Sequence, residues 1–339
     1  MTQELLRIED LKMHFPVKKG VLQKTTGYVK AVNGVSLTIN KGETLGIVGE
    51  SGCGKSTLAR TIVGLLEPTS GNILFEGESI LNNNQSQMHQ FRRDVQMIFQ
   101  DPYASLNPRM KVGDIIAAPL KAYKTTKNVK HRVQELMELV GLKPDFYHRL
   151  PHEFSGGQRQ RIGIARAIAL EPKLIICDEP VSALDVSVQA QVINLLEDLQ
   201  KELNLTYMFI AHDLSVIKHI ADRVGVMYLG KIMEMSDNES FYREARHPYT
   251  NALLSAIPVP DPDKEKVRER IVLKGDLPSP ANPPTGCVFH TRCPIAQDIC
   301  KESTPPLERQ ENEEHVVACF FPIEHESNQI INEKLFSKS

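Results

Sequence analysis

A glycine-rich motif between an apolar strand and a helix constrains this chain more than any other feature. The run Thr44–Val48 predicts a buried strand. Apolar residues at helical spacing predict a helix that starts at Lys55, with Leu58, Ile62, Leu65 and Leu66 on one face. Between them lies the motif Gly49, Glu50, Ser51, Gly52, Cys53, Gly54, Lys55, Ser56 and Thr57. Strand, glycine loop and helix in this order are the context that a P-loop requires, so we expect a P-loop α/β fold.

The residue types of this motif fit the binding of a nucleoside triphosphate. Glycines let backbone N–H groups approach phosphate oxygens, and the N-terminus of the following helix adds a favourable dipole. We expect Lys55 to bridge the β- and γ-phosphates and Ser56 to ligate Mg²⁺. A nucleoside triphosphate and Mg²⁺ are therefore the predicted substrate and cofactor.

A second buried strand ends in two carboxylates. The run Leu174–Cys177 is apolar, and Asp178 and Glu179 follow it. We expect Asp178 to hold Mg²⁺, commonly through water, because this ion keeps much of its hydration shell. Glu179 is the predicted general base that directs the attacking water. Cys177 is most simply a small buried apolar residue.

Charge and composition exclude several classes of protein. The 40 basic and 42 acidic residues are interspersed, and the net charge of −2 gives no electrostatic case for nucleic-acid binding. The chain has no run of eighteen apolar residues, and charges interrupt its first ten positions, so we expect neither a membrane span nor a signal peptide. We therefore expect a cytosolic chain, in which six cysteines do not form structural disulfides.

The order of predicted elements gives a domain organisation. Further strands are expected at Leu5–Phe15, Val35–Ile39, Val95–Phe99 and Tyr207–Ile210, and a strand pair at Arg223–Met235 that turns at Leu229-Gly230. Helices are expected over about 112–140, Gln158–Ala169 and Val188–Leu203. From residue 258 the composition changes, because eleven of the 21 prolines and four cysteines lie beyond it. We therefore predict a nucleotide-binding domain over 1–257 with a helical subdomain at about 101–165, an extension over 258–322 and a tail over 323–339.

A second short motif identifies the kind of P-loop protein. Ser155, Gly156, Gly157 and Gln158 lie about a hundred residues after the P-loop, where an ordinary kinase or small GTPase needs no such motif. With the other motifs in the usual order, residues 1–255 resemble ABC (ATP-binding cassette) ATPase subunits. The resemblance implies a mixed core sheet, an antiparallel β part and a helical subdomain. It also implies that two such subunits close head to tail over two ATP molecules.

The resemblance further implies roles for individual residues. Gln100 would be the Q-loop residue that contacts Mg²⁺ and water, and His212 the switch histidine that holds the γ-phosphate. Ser155, Gly157 and Gln158 would contact the γ-phosphate bound by the opposite subunit, and Asp185 would be the D-loop residue at the dimer interface. Phe15 would stack on adenine, with Tyr28 as the alternative. Arg159, Arg161 and Arg166 are expected on a solvated or subunit-facing side of a helix.

The extension over 258–322 resembles the C-terminal region of oligopeptide and dipeptide importer ATPases. Its cysteines are separated by five, six and eighteen residues, which is neither zinc-ribbon nor ferredoxin spacing. Some members of that family carry a 4Fe–4S cluster on matching cysteines, so a cluster, zinc or free thiols are the alternatives for Cys287, Cys293, Cys300 and Cys319. His315 is an alternative metal ligand, but we expect it on the surface. The extension has few large apolar residues, so we expect it to lack a core of its own. A bound metal would then stabilise the folded extension.

The same resemblance implies the function and the partners. It predicts an ATPase subunit that energises a bacterial peptide importer from the cytoplasmic side of the membrane, with nickel as another possible cargo. The implied partners are a second ATPase subunit, either a paralogue or the chain itself, two transmembrane permease subunits and an extracellular or periplasmic peptide-binding protein.

Two other classes of ABC protein and one other P-loop class fit the sequence less well. A chromosome-type ATPase needs a long coiled coil before Ser155, and this chain has no sustained heptads there. A translation-type protein needs a second cassette, which is absent. A simple phosphotransferase would leave the Ser155–Gln158 motif and His212 unexplained.

Overall fold

A computed structural model describes residues 3–20, 23–82, 84–257, 270–309 and 315–324. These residues form two compact units. The first contains the described residues up to Leu6 and those of Ile39–Thr44 and Leu74–Ala211. The second contains the described residues of Arg7–Thr38 and Leu45–Ile73 and those from His212 onward. The predicted boundary at 257/258 adjoins residues 258–269, which lie outside the described residues, as do residues 325–339 of the predicted tail.

Strands and helices alternate along most of the described chain. The strands are β1 (Glu4–Lys19), β2 (Lys24–Asn40), β3 (Thr44–Val48), β4 (Ser70–Phe75), β5 (Glu78–Ser79), β6 (Val95–Ile98), β7 (Leu174–Asp178), β8 (Thr206–Ile210), β9 (Arg223–Tyr228), β10 (Lys231–Asp237), β11 (Glu308–Arg309) and β12 (Val316–Val317). The helices are α1 (Lys55–Ile62), α2 (Gln85–Asp94), α3 (Val112–Tyr123), α4 (Val129–Leu139), α5 (Gly156–Ile168), α6 (Val186–Leu203), α7 (Leu214–Ile220), α8 (Asn238–Arg243), α9 (Pro248–Ser255) and α10 (Asp298–Glu302). Single 3-10 turns lie at Ile80–Asn82, Pro144–His148 and Pro151–Glu153.

The first unit is built on three parallel strands. β7 lies between β6 and β8, and all five residues of β7 and of β8 are buried. Strands buried on both faces are continuous apolar runs, which is why these two were recognisable in the sequence. In the same unit α3, α4 and α5 pack against one another and form the helical part that was predicted.

The second unit combines parallel and antiparallel pairing. β3 pairs in parallel with β9, and β9 pairs antiparallel with β10, which confirms the predicted turn at Leu229-Gly230 and the mixed sheet. β10 continues antiparallel to β12, and β12 to β11. β2, β1 and β4 lie side by side in that order.

Helix α1 begins at Lys55 as predicted but is shorter than predicted. Its last residue is Ile62, and Gly64 has a left-handed φ of 71° that ends the helix. Leu65, predicted on the apolar face, lies beyond the helix and is 59% exposed. The spacing of apolar residues alone did not reveal this stop.

The C-terminal extension has buried apolar residues, but they pack on residues outside the extension, as expected for a segment without a core of its own. Phe289 is buried, and its ring centroid lies 5.3 Å from those of both Tyr228 and Tyr249. The two tyrosine rings are themselves 4.7 Å apart. The extension therefore obtains its core from β9 and α9 of the second unit.

His315 is buried, which corrects the expectation of a surface histidine. Its Nε2 lies 2.8 Å from Oε1 of Glu234, and both side chains are almost fully buried. The Glu234 carboxylate also accepts hydrogen bonds from the backbone N–H groups of Arg246, at 2.6 Å, and His247, at 3.1 Å. A buried carboxylate needs such partners, so His315 joins the end of the extension to β10.

The arginines of α5, expected on a solvated or subunit-facing side, are half-buried and hydrogen-bond to backbone carbonyl groups. Arg159 donates to the carbonyl oxygen of Pro151, Arg161 to that of Val140 and Arg166 to that of Ser105, each at 2.7 Å. These hydrogen bonds fix loops of the helical part to α5.

Candidate functional site

The P-loop follows β3 in the second unit, and its backbone requires glycine at two positions. Gly49 has φ 149° and Gly54 has φ 110°. A Cβ atom at Gly49 would lie 2.1 Å from the carbonyl oxygen of Met227, and one at Gly54 would lie 2.0 Å from that of Ala31. The loop therefore packs its backbone directly on the neighbouring backbone, which leaves no space for a side chain.

Lys55 is held inside this loop. Its side chain is 4% exposed, and Nζ donates to the carbonyl oxygens of Gly49, at 2.7 Å, and Glu50, at 3.1 Å. Helix α1 has no side-chain cap at its N-terminus, so its first N–H groups can meet an anion. The arrangement can bind phosphate through one ammonium group and several backbone donors.

Glu50 of the P-loop is fixed by Arg292, a residue that no sequence motif marks. The guanidinium of Arg292 donates from Nη1 to Oε2 at 2.7 Å and from Nη2 to Oε1 at 3.1 Å. The backbone N–H of Glu50 donates to the Tyr249 hydroxyl at 2.9 Å. No local pattern could reveal a pair separated by 242 positions.

The two predicted carboxylates lie at the end of β7 in the first unit. Asp178 is the last residue of the strand and is buried. Glu179 has a left-handed φ of 49°, and its N–H donates to the carbonyl oxygen of Ile210 at 3.0 Å. Gln100 donates from Nε2 to Oε2 of Glu179 at 2.7 Å. The structure therefore brings together two predicted catalytic residues that are 79 positions apart.

The Ser155–Gln158 motif forms the start of α5. Ser155 is the N-cap, and its Oγ accepts a hydrogen bond from the Gln158 N–H, while the Gln158 side chain accepts one from the Ser155 N–H. Such a capping box satisfies the first free donors of a helix. A Cβ atom at Gly157 would lie 2.3 Å from Cγ1 of Val188, so glycine is required for packing there. The predicted contact of this motif with the γ-phosphate of another chain stays a prediction.

The other predicted residues occupy defined places in the two units. Asp185 is the N-cap of α6, and hydrogen bonds from the Ser187 hydroxyl and the Val188 N–H lower its pKa. His212, in the second unit, is exposed just before α7. Phe15 is half-buried, whereas Tyr28 is 50% exposed, so both remain candidates for stacking on adenine. The roles assigned to these residues stay predictions.

The four cysteines of the extension line one small apolar pocket, together with Phe289 and Phe321. Burial raises the pKa of Cys287 and Cys293, and it raises that of Cys319 to about 12, so these groups are neutral thiols near pH 7 without a metal. The donor chemistry fits a thiolate-bound metal. However, no three His, Cys, Asp or Glu side chains in the described part of the chain are grouped so that they could hold an ion.

Among the described residues, none of the helices has the length and apolar character needed to cross a bilayer.

A family model described as ABC transporter matches residues 32–182, and one described as oligopeptide/dipeptide transporter, C-terminal region, matches residues 233–300. A dimeric structure of an ATP-binding cassette in a post-hydrolysis state, bound to ADP and Pi, is 26% identical with a TM-score of 0.61. That match covers 69% of this chain and 99% of that chain.

Curated relatives match almost from end to end. The oligopeptide transport ATP-binding protein AppF of Bacillus subtilis (strain 168) is 58% identical over 320 residues, which is 94% of this chain and 97% of that protein. The oligopeptide transport ATP-binding protein OppF of Escherichia coli (strain K12) is 56% identical over 320 residues, which is 93% and 95%.

The fold, the motifs and the relatives all indicate that the chain is an ATP-hydrolysing P-loop protein of the cassette type. The chain belongs to the ABC transporter family, in its group of oligopeptide and dipeptide transport ATP-binding proteins.

Proposed function

We propose that this chain hydrolyses ATP to energise the import of oligopeptides or dipeptides. The observation that carries the proposal is the 58% identity to an oligopeptide transport ATP-binding protein over nearly the full length of both chains. The match of residues 233–300 to the C-terminal region of such transporters supports it independently of the P-loop. The chain then acts on the cytoplasmic side of the cell membrane, bound to two permease subunits, and an external peptide-binding protein delivers the cargo.

In the proposed reaction, the P-loop and Lys55 hold the triphosphate, and Ser56 and Asp178 would hold Mg²⁺ beside it. That ion would neutralise charge on the phosphate oxygens when it is bound. Glu179 orients and deprotonates the water that attacks the γ-phosphorus in line, and the bond to the β–γ bridging oxygen breaks to give ADP and phosphate. The hydrogen bond from Gln100 to Glu179 supports this role because it fixes the direction of the carboxylate.

We further propose that each ATP lies between two cassettes, so that Ser155, Gly157 and Gln158 of one subunit complete the site of the other. The dimeric cassette with ADP and Pi that resembles this chain supports this arrangement. Asp185, which caps α6, then lies at the contact between the subunits. Closure over ATP would move the permeases, and phosphate release would reopen the pair.

Peptide uptake in the organism that carries this chain tests the proposal. Deletion of the chain should abolish ATP-dependent uptake of labelled dipeptides and pentapeptides, and the wild-type chain should restore it. A chain with Ser155→Asp should fail to restore uptake although the isolated variant binds ATP normally. Aspartate still caps α5, but its charge repels the γ-phosphate of the opposite site.

Two outcomes would contradict the proposal. Unchanged peptide uptake in the deletion strain, with loss of nickel uptake instead, would assign a different cargo. Full uptake with the Ser155→Asp chain would show that this motif does not complete an ATP site.

We also propose that Cys287, Cys293, Cys300 and Cys319 bind a metal, with a 4Fe–4S cluster favoured over zinc. Their convergence on one pocket supports this proposal, and binding would require the four thiols to close around the metal. Protein purified without oxygen should contain about four iron atoms per chain and absorb broadly near 400 nm. A variant with Cys300→Ser should lose this iron, whereas Cys177→Ser should keep it because Cys177 is buried within β7. Colourless, metal-free wild-type protein would contradict the proposal.

A further inference from the structure

The P-loop contains a negatively charged residue, which would repel the phosphate groups that the loop is expected to bind. Glu50 is the second residue of a loop whose backbone donors and Lys55 are arranged for a triphosphate. An uncompensated unit charge about 10 Å from another, at an effective dielectric constant of about 20, shifts a binding equilibrium by roughly tenfold or more. A free carboxylate in this loop would therefore weaken the binding of ATP.

Arg292 neutralises this carboxylate. The two parallel hydrogen bonds, at 2.7 Å and 3.1 Å, form a bidentate pair, the strongest geometry for guanidinium and carboxylate. The Arg292 side chain is only 10% exposed, so water screens the pair weakly. The hydrogen bonds to Glu50 raise the pKa of Arg292 further above its usual range, and its charge is permanent.

The pair also fixes where the carboxylate points. Three groups hold Glu50, because its carbonyl oxygen accepts from Lys55, its N–H donates to Tyr249 and its side chain accepts from Arg292. Two of these three contacts involve backbone atoms. Among the residues that the structure describes, Arg292 is therefore the one whose side chain holds the charged group.

Arg292 is in turn held by the extension that carries the cysteines. The backbone N–H of Arg292 donates to the carbonyl oxygen of Phe289 at 3.0 Å, and the Phe289 ring packs on Tyr228 and Tyr249. Cys293, which lines the cysteine pocket, is the next residue along the chain. The extension thus reaches the P-loop through the Arg292 side chain, whose backbone is hydrogen-bonded to the buried residue Phe289.

We propose that Arg292 is a positioning residue for ATP binding, which neutralises the Glu50 carboxylate and holds it in place. The extension then contributes directly to the nucleotide site. This inference rests on the proposed function, because it takes the P-loop to bind ATP.

Substitution of Arg292 in the full-length protein tests the inference. With Arg292→Met, we expect the Kd and KM for ATP to rise about tenfold, because the carboxylate is left unpaired, while kcat changes by less than about twofold. A purely structural defect would instead reduce the folded fraction, which lowers the apparent kcat and leaves KM unchanged. Arg292→Lys should give an intermediate Kd, because it keeps the charge but loses the bidentate geometry.

A second substitution tests the electrostatic cause. Adding Glu50→Gln to Arg292→Met removes the unpaired charge and should return the Kd to within about threefold of the wild type. Lys301→Met is the matched control, because it removes an exposed ion pair with Asp298 in the same extension and should leave the Kd unchanged. Unchanged ATP affinity in Arg292→Met, or a double variant no better than Arg292→Met, would overturn the inference. Failure of the wild-type chain to bind ATP would instead contradict the proposed function.

Discussion

Replacing Glu179 by glutamine is expected to lower ATP turnover by roughly 10²–10⁴-fold while leaving ATP affinity within about threefold of the wild type. Glutamine has nearly the same shape as glutamate but cannot accept a proton from the attacking water. Gln100 can still donate a hydrogen bond to the side-chain carbonyl oxygen of the new residue. The geometry around position 179 is therefore retained and only the chemistry is lost.

Loss of turnover should also trap the closed pair of subunits. If ATP holds two cassettes together and hydrolysis separates them, the Glu179→Gln chain should elute as a dimer in Mg-ATP and as a monomer in Mg-ADP. Phosphate release and size-exclusion chromatography on the same preparations measure the two effects. If the working dimer contains a paralogous ATPase, the dimer forms only when both chains are mixed.

Glu171→Gln is the matched control for this experiment. Glu171 also has a left-handed φ, of 54°, but it lies before β7 whereas Glu179 lies after it. Its exposed carboxylate pairs with Arg132, a surface contact that contributes at most about 1 kcal/mol. Turnover should therefore remain at the wild-type level. Equal turnover in the wild type and in Glu179→Gln would remove Glu179 from the catalytic role.

The nucleotide motifs could be found in the sequence because each is a local arrangement of the backbone. The P-loop needs a strand, glycines at strained positions and a helix, and all of these lie within about twenty consecutive residues. β3 was predicted with its observed bounds, because the apolar run ends at Val48, immediately before Gly49 opens the P-loop. The start of α5 was also nearly right, since Ser155 and Gln158 form a capping box that is visible as a pattern.

The sequence pattern did not predict the strands and helices that depend on contacts with distant parts of the chain. β4 is only six residues long, and α2 is mostly polar with no strong apolar period. Both are stabilised by packing such as the edge-to-face contact of Phe75 with Phe91 at 5.4 Å. Propensity is a weak guide in such segments, because tertiary contacts decide the outcome.

The pairing of Arg292 with Glu50 and the burial of His315 could not be predicted for the same reason, because both depend on tertiary contacts. Each depends on where β9, β10 and α9 place the extension, and sequence spacing carries no information about that placement. The same holds for the arginines of α5, whose partners are backbone carbonyl groups. A backbone carbonyl is present at every position, so no residue type marks the partner.

Replacing Lys55 by methionine is expected to raise the Kd for ATP by about 100-fold, which corresponds to about 2.7 kcal/mol. Methionine fills most of the space of the lysine stem but lacks the ammonium group that would contact the β- and γ-phosphates. The loss should be smaller for ADP, which lacks the γ-phosphate. Isothermal titration with both nucleotides, in the presence of EDTA to stop turnover, measures the difference.

The effect on folding should be modest by comparison. In the described structure Lys55 donates to two P-loop carbonyl oxygens, Gly49 and Glu50, so the variant leaves these acceptors without this donor. Part of the loss is offset because a buried ammonium group no longer has to be desolvated. The midpoint of urea unfolding without nucleotide should therefore change little, whereas the extra stability that ATP confers on the wild type should disappear.

Lys12→Met is the control for the charge change. Lys12 lies in β1 of the same unit and pairs with Asp10 at 2.7 Å on the surface, so its removal should alter neither nucleotide affinity nor ligand-induced stability. Wild-type ATP affinity in Lys55→Met would show that the triphosphate does not bind at this loop. Equal losses for ATP and ADP would place the ammonium group away from the γ-phosphate. Only a selective loss for ATP fits a lysine that bridges the last two phosphates.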